Sequence, residues 1–548
     1  MTRLETVISY HEETKHRYEG YARGPGRMDW ATQPDLFRRY VGAPLIPLEI
    51  AEPGEEPPYG SVFSADSRIP SSSLDFRSVS RLLYDSMALS AWKSAGGVSW
   101  PLRINPSSGN LHPTECYLLC AAIPEFCATA MVCHYAAKEH GLEVRAEIPQ
   151  EVWEKLTAGL PEGTMFLGLS SIHWRESWKY GERAYRYCQL DVGHALAAIA
   201  LAAAALGWET RLLDDPGSYK LGQLIGVTGQ KGANAEEPDC LLAIFPRGGP
   251  GDRPTLNLEA VPDFALLTWQ GIPNSLSPSC REWQRIDEVA QASRKPSLRQ
   301  DYPPKQAPET GVSFPPFTGS FRRIIRQRRS AMAMDGVSSM PLASFYALLE
   351  RTIFRGNVAP FTLLPWPSCV DLALFVHRVD GLIPGLYLLL RNRRHREELR
   401  ELLDAEFLWE KPASCPEGLD LYLLASGDAQ NVAMNISCAQ EIAAEGCFSL
   451  GMLAEFSRTL DEMGPWFYPR LFWECGMIGQ VLYLEAETSG LRGTGIGCFF
   501  DDAMHELLGL KGIRYQDLYH FTVGGPVEDR RLATMPAYPA FRYEDIGE

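Results

Sequence analysis

The chain has 548 residues, 45% hydrophobic and 22% charged, with a formal net charge of −16. That length exceeds one hydrophobic core of ordinary size, so two domains are expected, and the acidic balance argues against the basic surface a nucleic-acid partner requires. The longest apolar run, Ala195 to Leu206, falls well short of the roughly 20 residues that span a bilayer, so a buried helix and no membrane partner are expected.

In chain order, residues 1–60 open without an apolar signal core and carry turn signals such as Gly24-Pro25-Gly26. They are expected to form an N-terminal extension outside any repeat. Residues 61–271 then read as a first domain. Its loop Pro106-Ser107-Ser108-Gly109-Asn110, followed by Pro113, is rich in turn formers and short hydroxyls. Strand-like segments follow at Met131 to Tyr135 and near Gly141, then Lys179-Tyr180-Gly181 and the apolar helix that contains Asp191 and Gly193.

Residues 272–317 hold Pro273, Pro278, Pro296, Pro303, Pro304, Pro308, Pro315 and Pro316. Proline at that density removes backbone donors and stops helices, so a surface linker is expected. Residues 318–548 read as a second copy of the first domain. Gly193 and Gly207 are separated by the same fourteen residues as Gly476 and Gly490. An acid stands two positions before the first glycine in each, Asp191 and Glu474, and a tyrosine six before the acid, Tyr185 and Tyr468. Read this way, the acid opens each helix and the second glycine caps it. Upstream, the segment around His134 and Gly141 aligns with that around His377 and Gly385, and Cys240 to Pro246 aligns with Phe521 to Pro526 as the closing strand.

The second copy begins with an arginine-rich helix ending in Arg328-Arg329-Ser330. Two guanidinium groups beside a hydroxyl supply the planar, charge-assisted donors that a phosphate monoester accepts. Gly495-Ile496-Gly497 is a tight strand end where backbone could approach a ligand closely. Arg530-Arg531 is a further basic pair. The thirteen cysteines show no CxxC pair and no Cys/His metal spacing. Reduced thiols, a cytoplasmic setting and no metal are expected.

Together these elements resemble the nitroreductase superfamily, and within it the SagB-type dehydrogenases. The Arg-Arg-Ser element, the Pro-Ser-x-Gly loop and above all Lys179-Tyr-Gly-Glu-Arg-Ala-Tyr-Arg-Tyr187 carry the resemblance. It implies an α+β fold, a sheet flanked by helices, in two tandem nitroreductase-like domains that form an intramolecular pseudo-dimer, so the chain would work as a monomer. It also implies an FMN-dependent dehydrogenase or oxidase acting on a peptide-derived or small heterocyclic substrate, with the flavin between the domains. By the same resemblance, Arg328, Arg329 and Ser330 hold the phosphate, with help from Arg530 and Arg531. Gly495, Ile496 and Gly497 approach the flavin ring through backbone N–H groups, Pro106 to Asn110 close the site from the other copy, and Lys179 and Tyr180 act as the base.

Aligning Pro113 with Pro367 sets Phe361 to Trp366 opposite the Pro-Ser loop, and Leu82 to Ser86 lies nearest the place of the missing Arg-Arg-Ser. One complete site per chain follows. Met332 stands where family members often carry a cation near the flavin pyrimidine, which lowers the expected reduction potential. Two other readings stand beside this one. One is an NAD(P)H-dependent nitro or quinone reductase; the other is a flavin-free scaffold or binding subunit of a biosynthetic complex.

Overall fold

The computed structural model describes residues 1–50, 54–64, 69–248 and 254–538. It contains two large antiparallel sheets, one in each half. The first runs in the order Leu45–Pro47, Gly141–Ile148, Ala130–Ala136, Thr114–Cys120, Met165–Ser171, Glu237–Pro246, Trp208–Leu213. The second runs Leu421–Ser426, Gly385–Leu389, Val370–Val376, Phe448–Glu455, Tyr515–Gly524, Arg492–Ile496. Apart from the edge strand Leu45–Pro47, the two orders superimpose strand for strand. Most of these strands are buried along their length, as the Val, Leu and Phe content of their sequences demands.

That correspondence corrects one alignment. Thr114–Cys120 is the counterpart of Val370–Val376, which agrees with Pro113 standing opposite Pro367. His134 and His377 therefore lie on non-equivalent strands, His134 in Ala130–Ala136 and His377 just past Val370–Val376. The hairpin-like spacing repeats along the meander, so the sequence match slipped by one strand.

Each half contributes one 21-residue helix to the centre, Ala184–Ala204 and Tyr468–Thr488. The acids do not open them: Asp191 and Glu474 lie two turns inside. The glycines that follow the helices behave as expected, since Gly207 and Gly490 both adopt φ +70°, the left-handed conformation that ends a helix cheaply only at glycine. The first central helix is buried throughout, so its apolar length serves the interior. Apolar side chains of both halves, among them Leu196, Ile199, Trp473 and Leu482, share one continuous core.

Both the N-terminal extension and the linker contain ordered elements. Part of the 1–60 extension is structural: Arg3–Glu13 is a helix closed by a capping box between Thr2 and Glu5. Its Tyr10 hydroxyl donates to the Glu182 carbonyl, while His11 bonds Tyr468 and Gln516. It thus touches both halves, and Leu45–Pro47 joins the first sheet. The 272–317 linker is not structureless, because Ile272–Pro273 pairs with Tyr40–Val41 and Gln284–Ala292 is a helix packed on Arg3–Glu13. Its helix lies between Pro278 and Pro296, in the longest proline-free stretch of the linker.

A smaller sheet ties the halves together. The hairpin Leu89–Ala95 and Val98–Arg103 of the first half receives Ala533–Met535 from the second, with Thr534 opposite Lys93.

Candidate functional site

A cavity of about 530 Å³ lies between the halves, within the size range of small-molecule sites. From the first half, its wall includes Trp100 and Arg103 of the hairpin, Pro106, Ser107, Ser108, Gly109 and Asn110 of the loop, and Tyr180, Tyr187, Asp191 and His194. From the second come Arg328, Arg329, Ser330, Tyr483, Arg492, Gly495, Ile496, Gly497 and Tyr519. Twelve of the fifteen residues singled out from sequence meet in this one place.

The loop is held from below. Ser108 N–H and Oγ donate to Asp191 Oδ1 at 3.0 and 3.2 Å, and Asn110 Nδ2 donates to the Pro101 carbonyl at 2.8 Å. Gly109 and Asn110 have φ of +57° and +59°, conformations that glycine and asparagine tolerate best. Burial pushes the Asp191 carboxyl up to about 7, against the opposing bonds from Ser107 and Ser108.

Lys179 and Tyr180 close on the same loop. A Cβ at Gly109 would lie 2.5 Å from the Tyr180 hydroxyl and 3.2 Å from Lys179 Nζ, so only glycine lets the pair reach it. Tyr180 faces the cavity, whereas Lys179 stands beside the loop and is not part of the cavity wall. Burial raises the Tyr180 hydroxyl well above the ordinary phenol range. A hydroxyl raised in this way favours its protonated form, which suits a donor.

At the other end lies a cationic cluster. Arg328 is buried, donates through Nη2 to the Arg103 carbonyl at 3.0 Å, and leaves its Nε without a partner. Burial, with Arg328 beside it, brings the Arg329 guanidinium down to about 10. Lys93 and Arg492 complete the cluster, with Arg492 2.7 Å from Glu528. Glu528 and Glu487 offset part of this charge, but Arg328 and Arg329 form no ion pair among the described residues, and their guanidinium groups favour an anion. Ser330 Oγ shares a hydrogen bond with Tyr483 at 2.9 Å, and Met332 is 81% exposed at the rim.

Arg530 and Arg531 are exposed, and Arg531 pairs with Asp529. Neither lines the cavity, although Asp529, Leu532 and Arg492 do. The Gly495 N–H already donates to the Tyr483 hydroxyl at 3.0 Å. A Cβ at Gly495 would meet Tyr519, and one at Gly497 would meet Tyr187. These glycines therefore make room for two tyrosines.

The arginines of the Lys-Tyr motif have a different task. Arg183 and Arg186 both bond Asp501 of the second half, at 2.8 and 2.6 Å, and both reach the Thr14 carbonyl. Burial would raise the Asp501 carboxyl, but the two guanidinium ions outweigh it and hold it far below the usual carboxylate range. This triad clamps the two halves beside the cavity.

The pseudo-symmetric position is filled. Phe361, Leu363, Leu364 and Trp366 are all buried, and Glu474 accepts from Cys369 N–H much as Asp191 accepts from Ser108. The counterpart of Arg328-Arg329-Ser330 is not Leu82 to Ser86, which belongs largely to the helix Phe76–Tyr84. Reciprocal bonds from Tyr59 N–H to the Gly319 carbonyl and from Phe321 N–H to the Pro57 carbonyl set Pro58 opposite Ser320, so the two segments correspond.

Sequence reasoning missed Trp100, Arg103, His194, Tyr483, Arg492 and Tyr519. Asp191 had been noticed for its place in the repeat, but not as a cavity residue.

Residues 89–243 match the nitroreductase family. The matched span carries the Pro106 loop and Lys179-Tyr180 but not Arg328. Among solved structures, a protein of Anabaena variabilis assigned as a nitroreductase is similar at 21% identity, with 95% of this chain and 99% of that chain covered and a TM-score of 0.69. A chain of the E. coli microcin synthetase McbBCD complex with truncated pro-MccB17 bound matches at 21% identity over 44% of this chain and 92% of its own, with a TM-score of 0.27. A Ralstonia eutropha protein assigned as a nitroreductase matches at 16% identity over 38% and 82%, with a TM-score of 0.26. No curated protein gives a significant match. Over residues 89–243 the chain is thus similar to the nitroreductase family, and over nearly its whole length it shares the fold of the Anabaena structure.

Proposed function

We propose that the cavity binds FMN and that the chain is an FMN-dependent oxidoreductase of the SagB type, acting on a peptide-derived or small heterocyclic substrate. The observation that carries this reading is the meeting, in one cavity, of a cationic end from the second half with a hydroxyl-rich loop and Tyr180 from the first. The lining fits the group. Arg328 has a buried Nε free to bond a phosphate oxygen, and Trp100, Tyr180, Tyr187, Tyr483 and Tyr519 offer flat apolar surface for a ring.

Bound there, FMN supplies a two-electron acceptor. The chain's own groups do the rest. Arg328, Arg329 and Arg492 neutralise the phosphate, Ser330 adds a hydroxyl, and the two halves exclude water from the ring face. The Tyr180 O–H is a donor toward the substrate, and Lys179 Nζ takes the proton that leaves it. Both sides of the cavity come from one chain, so the working unit under this proposal is a single chain in the cytoplasm.

FMN titration followed by absorbance after denaturation tests the reading. One FMN per chain is expected, because the second position is filled by Phe361 and Trp366. Arg328→Ala with Arg329→Ala is expected to weaken binding by well over tenfold, since each charge-assisted bond contributes on the order of 1.5–3 kcal/mol. Two FMN per chain, or none, would count against it. An NAD(P)H-dependent nitro or quinone reductase is the second reading. It is favoured by the position of Lys179 off the cavity wall, because hydride transfer between cofactors needs no protein base. Rapid flavin bleaching by NADPH alone would select it.

A further inference from the structure

The strand Arg492–Ile496 that borders the cavity continues into Gly497 and Cys498, and Cys498 itself lies in the cavity wall. Its sulfur shares a hydrogen bond with the sulfur of Cys438 at 2.8 Å. The two residues are 60 positions apart in sequence, and the fold brings them together deliberately. Cys438 follows the helix Gln430–Ile436 in a turn where both Cys438 and Ala439 adopt the left-handed conformation, φ +55° and +58°. Non-glycine residues rarely hold that conformation in pairs. Gln440 fixes the turn against the strand, since its Nε2 donates to the Cys498 carbonyl at 2.8 Å and to the Ser437 carbonyl at 2.7 Å. Both cysteines are partly accessible.

The surroundings favour a thiolate on one sulfur of the pair. The bond to Cys438, opposed by burial and helped by His16 and Arg183, brings the Cys498 thiol down to about 5, while the same bond raises Cys438. One sulfur is thus primed to attack and the other stays a thiol within reach of it, the division of labour that thiol–disulfide exchange requires.

We infer that Cys498, in the cavity wall, and Cys438 behind it form a redox-active dithiol, whose substrate class is a low-molecular-weight disulfide reaching Cys498 through the cavity. The Cys498 thiolate attacks one sulfur of the disulfide, the S–S bond of the substrate breaks, and one thiolate leaves. The Cys438 thiol then loses its proton and attacks Cys498 in the resulting mixed disulfide, and the second thiolate leaves. The net change is one dithiol and one disulfide to one protein disulfide and two thiols, a two-electron exchange that closes without any other reactant.

The test uses the full chain and oxidised glutathione as the probe. After incubation at pH 6, remaining thiols are alkylated, and the protein is mapped by mass spectrometry under non-reducing conditions. The expected result is a peptide pair joined through Cys438 and Cys498, reopened by dithiothreitol. Cys438→Ser is expected to trap one glutathione on Cys498, and Cys498→Ser to leave Cys438 unmodified. In the untreated protein at pH 6, Cys498 is expected to alkylate on the order of tenfold faster than the exposed Cys280, because an ordinary thiol is almost wholly protonated there. Alkylation that follows exposure alone, with Cys280 faster, would overturn the proposal, as would free thiols at both positions after oxidation. A Cys438–Cys498 bond present from the start and resistant to dithiothreitol would overturn it too. The wild-type map decides even where a variant fails to fold.

Discussion

Gly193 and Gly476 meet where the two central helices cross, and each occupies the space a side chain would need on the other. A Cβ on Gly193 would stand 2.3 Å from the Trp473 carbonyl oxygen, and one on Gly476 would stand 2.1 Å from the Leu190 carbonyl oxygen. In an exposed helix, glycine to alanine stabilises by up to about 1 kcal/mol. Here the sign reverses. Gly193→Ala or Gly476→Ala is expected to destabilise by about 1–3 kcal/mol through overpacking, read as a lower denaturant midpoint. An unchanged or raised midpoint would show that the helices separate without cost.

Asp501 is the anionic centre of a buried triad with Arg183 and Arg186. Asp501→Ala leaves two buried guanidinium ions facing each other, so a loss of about 3–5 kcal/mol is expected. The wild-type carboxyl is depressed in the folded state, so its contribution is full above the unfolded value near pH 4 and is lost as pH falls below it. Thermal melts of wild type and Asp501→Asn between pH 2 and 7 check this: the gap between them should shrink only at the acid end.

Asp191 predicts the opposite dependence. Its folded value of about 7 lies above the unfolded one, so the stabilising protonated form is complete at low pH. Its advantage is lost as pH rises toward about 7. Asp191→Asn imitates the neutral carboxyl and keeps an acceptor for Ser108. It is expected to gain on the order of 1–4 kcal/mol over wild type at pH 8 and little at pH 4. A difference between the two proteins that does not change with pH would refute the assignment.

Lys179 separates chemistry from binding. Lys179→Ala is expected to retain FMN and melt normally, yet to slow substrate-driven flavin reduction on the order of 10²–10⁴-fold. Tyr180→Phe removes only a donor and should cost less. Stopped-flow reduction with an azoline-type peptide, run beside NADPH, gives the readout. Equal rates in Lys179→Ala and wild type with the peptide would remove Lys179 from the mechanism.

Much of this site could be read in the sequence because its parts are local. Pro106 to Asn110, Lys179-Tyr180 and Arg328 to Ser330 are short segments whose residue types state their chemistry, and the glycine spacing disclosed the paired helices. What could not be read depends on distance along the chain. Tyr483 and Tyr519 are ordinary core aromatics until the sheet brings Gly495 against them. Cys438 and Cys498 look scattered until the Gln440 turn joins them, and Arg492 carries no motif that sets it apart from Arg530. The one-strand slip at His134 has a physical reason as well: neighbouring antiparallel strands in a meander repeat the same pattern, and only pairing tells them apart.

The filled position behind Phe361 and Trp366 has a meaning that reaches beyond vacancy. In an assembly of two identical subunits, every substitution is made twice, so closing one site closes both. A covalent chain escapes that rule. Under the proposed reading, one half has turned its loop into packing while the other keeps it, and the cavity does not come apart on dilution, since both of its walls belong to one molecule.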